Sequence, residues 1–243
     1  MDLRAAQIAV HDGAADETYG TDSWEASKRA AFEAHLRALP RPTALLVDLG
    51  CFNGALTACW KPFAQRVIGV DFHPEALLRA RARGLEVLEH DLSSPEPLPL
   101  ATGTVDVVTC ADVVEHLVDP AVLLREAKRL LRPDGALLLS TPNMGYWLSR
   151  LRLLVGRPPL CTNGVALDYK RDFWVDPSHL HVSLLSEWEG LLNREGFRVV
   201  ATRGSHLRFG GRRRLLAHWV DALCDRFAPR LSLMPVVWLT PSL

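Results

Sequence analysis

Between Ala44 and Gly54 the chain reads ALLVDLGCFNG, an apolar run that ends in an acid and then in two glycines four residues apart. The run predicts a buried strand and the glycines a tight turn, and the ALTACW that follows predicts a helix. Strand, glycine turn and helix in that order make the first unit of a parallel α/β sheet. Such a turn lets a ligand lie against bare backbone, and the helix start offers unpaired N–H groups. Seventeen residues after Gly54 a second apolar run, RVIGVD, ends in another acid, Asp71. An acid at the tip of a second strand suits the paired hydroxyls of a ribose, because a carboxylate accepts two hydrogen bonds.

The rest of the chain continues the alternation. Strand and helix signals follow one another over 44–49, 54–63, 67–71, 74–83, 86–90, 105–110, 113–131 and 136–141. That rhythm predicts parallel strands joined by right-handed crossovers. A helix before the first strand, within 22–39, carries apolar residues at 24, 31, 32, 36 and 39 and stops at Pro40 and Pro42. Residues 143–178 break the rhythm with an aromatic insertion bearing Tyr146, Trp147, Tyr169, Phe173 and Trp174. A helix over 186–195 and a strand over 197–203 come next. Over 212–227, Leu215, Leu216, Trp219, Val220, Leu223, Cys224 and Phe227 fall on one helical face, which reads as a packed apolar face. MPVVWLT, 234–240, closes the pattern as a last strand.

The spacing Asp48-x-Gly50-x-x-x-Gly54 is not the G-x-G-x-x-G of dinucleotide sites, which argues against a nicotinamide oxidoreductase. It resembles instead the D-x-G-C-G-x-G motif of the class I S-adenosylmethionine-dependent methyltransferases, matching Asp48, Gly50, Cys51 and Gly54 and departing at Phe52. Five further segments resemble that family in order: VIGVDFH, LEVLEHDL, VDVVTCADVVEHLVDP, LLRPDGALLLSTPN and HLHVSLLSEWEGLLNREGFRVV. Together the six cover roughly two thirds of the chain.

The resemblance implies a Rossmann-like doubly wound α/β sheet of seven strands, six parallel and the last antiparallel, with helices on both faces. It implies one methyltransferase domain over 1–243, with an N-terminal arm and helix over 1–40. Substrate-lid insertions are expected over 143–178 and 205–233. The implied cofactor is S-adenosylmethionine, with S-adenosylhomocysteine as product. Its implied contacts are Asp48, Gly50, Cys51 and Gly54 of the turn, Asp71 for the ribose, and Phe72, Asp91, Leu92 and Ala111 around the adenine and methionine. Asp91 has an alternative role as a cap for the loop after it.

Methyl transfer at oxygen needs a base, and a histidine near its ordinary pKa suits the task. The candidates are His179 and His181, at the end of the aromatic insertion, and His116, after the fourth strand. Asp112, Glu115 and His116 form a D-x-x-E-H cluster similar to the E-x-x-E-H that ligates a divalent metal in ubiquinone-type O-methyltransferases. Helix-start capping by the two acids is the reading preferred over a metal. The expected reaction is O-methylation of a small molecule. N- or C-methylation and a non-catalytic methyltransferase-like partner subunit are the alternatives.

Composition narrows the partners. The chain is 243 residues long, 48% hydrophobic and of zero formal net charge. That balance argues against a broad nucleic-acid-binding face. The adenine and glutamine N-methylation signature N-P-P-[FYW] is absent after the fourth strand. Five scattered cysteines without a C-x-x-C pair indicate neither a zinc site nor a disulfide framework. The start of the chain lacks a long apolar core, no run is long enough to span a membrane, and a cytoplasmic location is expected. Arginines at 203, 208, 212, 213 and 214 leave a peripheral membrane contact through 205–227 as a secondary idea. The patterning leaves the oligomeric state open.

Overall fold

The computed structural model describes residues 26–160, 178–206 and 215–242. The N-terminal arm, the arginines at 208, 212, 213 and 214, and the insertion aromatics Tyr169, Phe173 and Trp174 lie outside the described residues. Seven strands form one sheet: β1 (Thr43–Leu49), β2 (Ala64–Asp71), β3 (Glu86–Glu89), β4 (Val105–Ala111), β5 (Leu131–Ser140), β6 (Phe197–Arg203) and β7 (Val236–Pro241). Their order is β3-β2-β1-β4-β5-β7-β6. β1 to β5 pair in parallel, and β7 runs against both β5 and β6. Six strands therefore point one way and β7 the other, as the sequence predicts. The order reverses between β1 and β4, so their carboxyl ends open a crevice.

Among the described residues, six helices accompany the sheet: α1 (Ala26–Ala38), α2 (Pro74–Ala82), α3 (Pro120–Leu130), α4 (Trp147–Leu154), α5 (Leu185–Arg194) and α6 (Leu215–Phe227). Side chains alternate across a strand, and the core follows that alternation. Leu46, Val107 and Leu138 meet Phe32 and Leu36 of α1 on one face. Val47, Val108 and Leu137 meet Leu123 and Leu124 of α3 and Trp188 and Leu192 of α5 on the other. Each such buried side chain contributes about 1.5–3 kcal/mol through the apolar surface it removes from water.

Three expectations need correction. The helix expected over 54–63 is a turn followed by a 3₁₀ helix, Thr57–Phe63. Pro62 lies inside it and has no N–H for an α-helical bond, while buried Trp60 anchors the segment against Phe32, ring centroids 5.4 Å apart. The helix expected over 113–131 splits into a 3₁₀ turn, Val114–His116, and α3. The α3 cap is Asp119, whose side chain accepts from Ala121 N at 3.0 Å, with Pro120 at the first helical position.

The third correction concerns α6. Trp219, Leu223 and Phe227 are not packed; they are 71%, 56% and 72% exposed. The helix turns Asp221 inward instead, where Oδ1 accepts from both Tyr146 Oη and Trp147 Nε1 at 2.7 Å. Two hydrogen bonds to a buried carboxylate outweigh the apolar stripe in setting the helix rotation. No helix among the described residues is long and apolar enough to cross a membrane.

Candidate active site

The glycine turn takes its shape from contacts on three sides. Gly50 N and Cys51 N both donate to Val70 O, at 2.8 and 3.0 Å. Gly50 has φ +84°, and a Cβ there would stand 2.2 Å from Val113 Cγ2. Gly54 has φ +74°, and a Cβ there would stand 2.5 Å from Leu85 Cδ1. Phe52, where the methyltransferase motif has its second glycine, is itself left-handed at φ +46°. The motif's backbone path is kept without the glycine, and the Phe52 ring rests edge-on against His73, centroids 5.9 Å apart. Cys51 is buried, and Cys51, Cys59, Cys110 and Cys224 are all free.

Asp48 sits below the turn, 3% exposed. Its two oxygens accept from Thr109 Oγ1 at 2.6 Å and Thr57 Oγ1 at 2.5 Å. Burial pushes its pKa up to about 6, against the pull of those two hydroxyls. Asp71, at the end of β2, accepts from Phe52 N at 2.8 Å and His73 N at 3.0 Å. Burial raises its pKa too, and these backbone N–H groups oppose the rise. The Phe72 backbone bonds to this carboxyl as well, and an acceptor position remains for a ligand hydroxyl. Phe72 is half-buried beside it. Asp91 Oδ1 accepts from both Ser93 N and Ser93 Oγ, so the capping role is present in the fold. The Leu92 side chain belongs to the core.

The turn borders a small hollow, open to solvent, whose walls include Asp48, Gly50, Phe52, Asn53, Ala111 and Lys28. Lys28 was not among the sequence candidates. Its spacing to Ala31, Phe32 and His35 places it on the buried stripe of α1, and that is the signal that could have found it. Lys28 Nζ lies 2.5 Å from Asp112 Oδ2, and Ser140 Oγ donates to Asp112 Oδ1 at 2.7 Å. Burial opposes ionisation of Asp112, but the Lys28 charge prevails and holds the carboxyl below its ordinary range.

The D-x-x-E-H cluster is therefore neither a helix cap nor one group. Asp112, left-handed at φ +54°, turns toward Lys28. Glu115 is fully buried, and neither carboxyl oxygen has a hydrogen-bond partner. Burial, then the Asp112 charge, push its pKa well above the carboxylate range. Glu115 O accepts from Leu180 N at 2.8 Å and His181 N at 3.0 Å, which brings the end of the aromatic insertion against this turn. His116 and His179 face each other, ring centroids 4.8 Å apart. Glu115, His116 and His179 each offer a ligand atom, all within 4.8 Å of one another. His181 stands apart, with Nε2 3.4 Å from Val118 O and its ring edge-on to Trp188.

Comparison with known proteins agrees with this geometry. Residues 47–139 match the model of a methyltransferase domain family. A ubiquinone biosynthesis O-methyltransferase of Xanthomonas oryzae pv. oryzae is 38% identical over 104 residues, 41% of this chain and 44% of that protein. A Mycobacterium tuberculosis protein named a probable S-adenosylmethionine-dependent methyltransferase is 34% identical over 164 residues, 63% of this chain and 56% of that one. The chain thus spans less than two thirds of these relatives' length. Among solved structures, a methyltransferase in complex with the Haloferax volcanii Trm112 methyltransferase activator superposes with a TM-score of 0.66 at 18% identity, covering 97% of each chain. An S-adenosylmethionine-dependent methyltransferase from Clostridium acetobutylicum gives 0.60 at 12% identity, covering 99% of this chain and 100% of that one. Motif order, domain match and the 3-2-1-4-5-7-6 sheet agree: residues 47–139 match a methyltransferase domain, and the chain resembles the class I S-adenosylmethionine-dependent methyltransferases in its motifs and in its fold.

Proposed function

We propose that this protein transfers a methyl group from S-adenosylmethionine to a small-molecule acceptor, at an oxygen atom. One observation carries the reading. Two buried acids, Asp48 and Asp71, flank a left-handed turn that borders a hollow at the carboxyl ends of β1 and β4. When bound, the cofactor supplies an already activated methyl group, whose bond to sulfur breaks with the electron pair left on sulfur. The protein's task is then alignment and removal of the acceptor's proton.

In this reading Asp71 holds the ribose hydroxyls and Phe72 lies along the adenine. Asp91 and the Leu92 backbone meet the adenine edge. Gly50, Cys51, Gly54 and Ala111 present backbone to the methionine half, and ionised Asp48 faces its ammonium. A histidine takes the acceptor's proton, from the set His116, His179 and His181. The described parts of the expected lid segments, 143–160, 178, 205–206 and 215–233, lie on the acceptor side in this reading, and the rest of 143–178 and 205–233 is outside the described residues. Zero net charge supports a small acceptor over a nucleic acid.

A second reading is a chain that works with, or for, a protein partner. The Trm112-bound neighbour and the exposed Trp219, Leu223 and Phe227 of α6 favour it. Incubation with methyl-labelled S-adenosylmethionine and a host extract separates the two. Label in a small, solvent-extractable product supports the enzyme. Label in protein or nucleic acid overturns the small-molecule acceptor. Cofactor binding with no transfer to any fraction supports the partner subunit.

A further inference from the structure

We infer that His206, with Asp225 as its positioning residue, recognises the methyl acceptor through a hydroxyl or amine other than the oxygen that is methylated. The inference rests on the methyl-transfer reading and adds a property of the acceptor, a second hydrogen-bond donor. His206 follows β6 and is not among the three histidines that the sequence motifs single out.

His206 is 9% exposed, and its Nδ1 lies 2.5 Å from Asp225 Oδ2. The other oxygen, Asp225 Oδ1, accepts from Ser232 Oγ at 2.6 Å, so both ends of the carboxylate are held. Gly204 brings the end of β6 against this pair. Its N donates to Asp225 O at 3.2 Å, and a Cβ there would overlap Asp225 Cα and Ser232 Oγ. An approach this close requires glycine. A carboxylate that takes the Nδ1 proton fixes the imidazole tautomer and leaves the Nε2 lone pair facing away from it. Among the described residues, no hydrogen bond is made at Nε2. A buried ring with one nitrogen held and the other open is a prepared acceptor for an O–H or N–H.

The fold places the pair on the acceptor's side. β5 and β6 each run against β7, so their carboxyl ends share the edge that carries the hollow. The residues read as cofactor contacts belong to β1–β4 and the loops after them, which leaves the β5-β7-β6 half of the edge for the acceptor. His206 N donates to Ser27 Oγ at 3.3 Å, and Lys28, the next residue, is a wall of the hollow. Met234 N donates to Ser205 O at 3.1 Å and Asn143 Nδ2 to Ser232 O at 2.9 Å, which ties the pair to the loop after β5. His116, His179 and His181 gather instead around the turn after β4. Two histidine positions on one edge fit an acceptor with two polar groups. One group loses its proton and receives the methyl; the other keeps its proton and donates to His206 Nε2.

The test uses the purified full chain, methyl-labelled S-adenosylmethionine and the solvent-extractable fraction of a host extract as the source of acceptor. Initial rates of label transfer are followed against dilution of that fraction. His206→Ala should need at least tenfold more of the fraction to reach half its maximal rate, with the maximal rate and the calorimetric affinity for S-adenosylmethionine unchanged, the signature of lost acceptor binding alone. Asp225→Asn keeps the shape but turns an amide N–H toward Nδ1, which moves the imidazole proton to Nε2 and should give the same tenfold shift. Nitrogen-15 spectra of labelled histidine report the tautomer, with the His206 signals identified by their loss in His206→Ala. Nδ1–H is expected in the parent. The purified labelled product should carry a free O–H or N–H besides its new methyl ether. Thermal melts show which variants are folded. A parent that transfers no label refutes the methyl-transfer reading, and the inference falls with it. A parent that transfers label beside folded variants with an unchanged dependence on the fraction overturns the inference alone, as does Nε2–H in the parent or a product without a free O–H or N–H.

Discussion

Lys28 of α1 and Asp112, after β4, form a buried ion pair across 84 residues of sequence, Nζ to Oδ2 at 2.5 Å. It ties α1 to the carboxyl edge of the sheet beside the hollow. Breaking one half of such a pair leaves an uncompensated buried charge, which costs about 3–5 kcal/mol, whereas apolar replacement of both halves is often nearly neutral. Lys28→Met should therefore lower unfolding stability by about that amount. The double variant Lys28→Met, Asp112→Leu should recover most of it. Urea unfolding of the four proteins in the cycle measures both.

Asp48 predicts a pH dependence with a definite sign. Its folded pKa of about 6 is above the ordinary 3.8, so the folded state holds the proton over a wider range than the unfolded chain. Its contribution to stability is full below 3.8 and declines as pH rises toward about 6, by roughly 2–3 kcal/mol in all. Binding of the cofactor's ammonium runs the other way and tightens as Asp48 ionises. Asp48→Asn should flatten both curves. Chemical denaturation and calorimetric titration between pH 4 and pH 8 supply the comparison.

Gly50 combines two constraints. At φ +84° an L side chain is strained, and a Cβ would overlap Val113. Gly50→Ala should cost about 2 kcal/mol or more, and the shifted turn should weaken S-adenosylmethionine at least tenfold. Gly103, with φ +70° and open space around it, is the control: alanine there should cost only the backbone strain, about 1 kcal/mol, and leave cofactor affinity unchanged.

Phe52 already pays the left-handed strain that a glycine would avoid. Phe52→Gly should bind S-adenosylmethionine at least as tightly as the parent, because the φ of +46° is retained without strain. Phe52→Val, β-branched at the same φ, should be less stable by about 1–2 kcal/mol. Thermal melts and calorimetry decide; a marked loss of affinity in Phe52→Gly would show that the ring itself holds the cofactor.

The sheet was legible in the sequence because its signals are local. Apolar runs, glycine turns and the acids at strand ends each lie within about ten residues, and β6 falls at the expected 197–203. The turn was legible for the same reason, at Gly50 and Gly54, as were the acids Asp48 and Asp71 near the ends of β1 and β2. What sequence reading missed depends on pairs far apart in the chain. No spacing rule joins Lys28 to Asp112, or His179 to Glu115, and the rotation of α6 depends on Asp221 meeting Tyr146 and Trp147. Helix type at 57–63 and 114–116 was missed for a different reason. Apolar periodicity over one or two turns does not separate a 3₁₀ segment from an α-helix, and only Pro62 marked the first of them.

The most direct test of the account is calorimetric titration of the full chain with S-adenosylmethionine, beside NADH, for the parent, Asp71→Ala and Asp71→Asn. Asparagine keeps an acceptor for Phe52 N and so separates loss of fold from loss of ribose binding. The account predicts one S-adenosylmethionine per chain, no response to NADH, and affinity reduced at least tenfold in both folded variants. Failure of the parent to bind S-adenosylmethionine, or undiminished binding in both Asp71 variants, would contradict it.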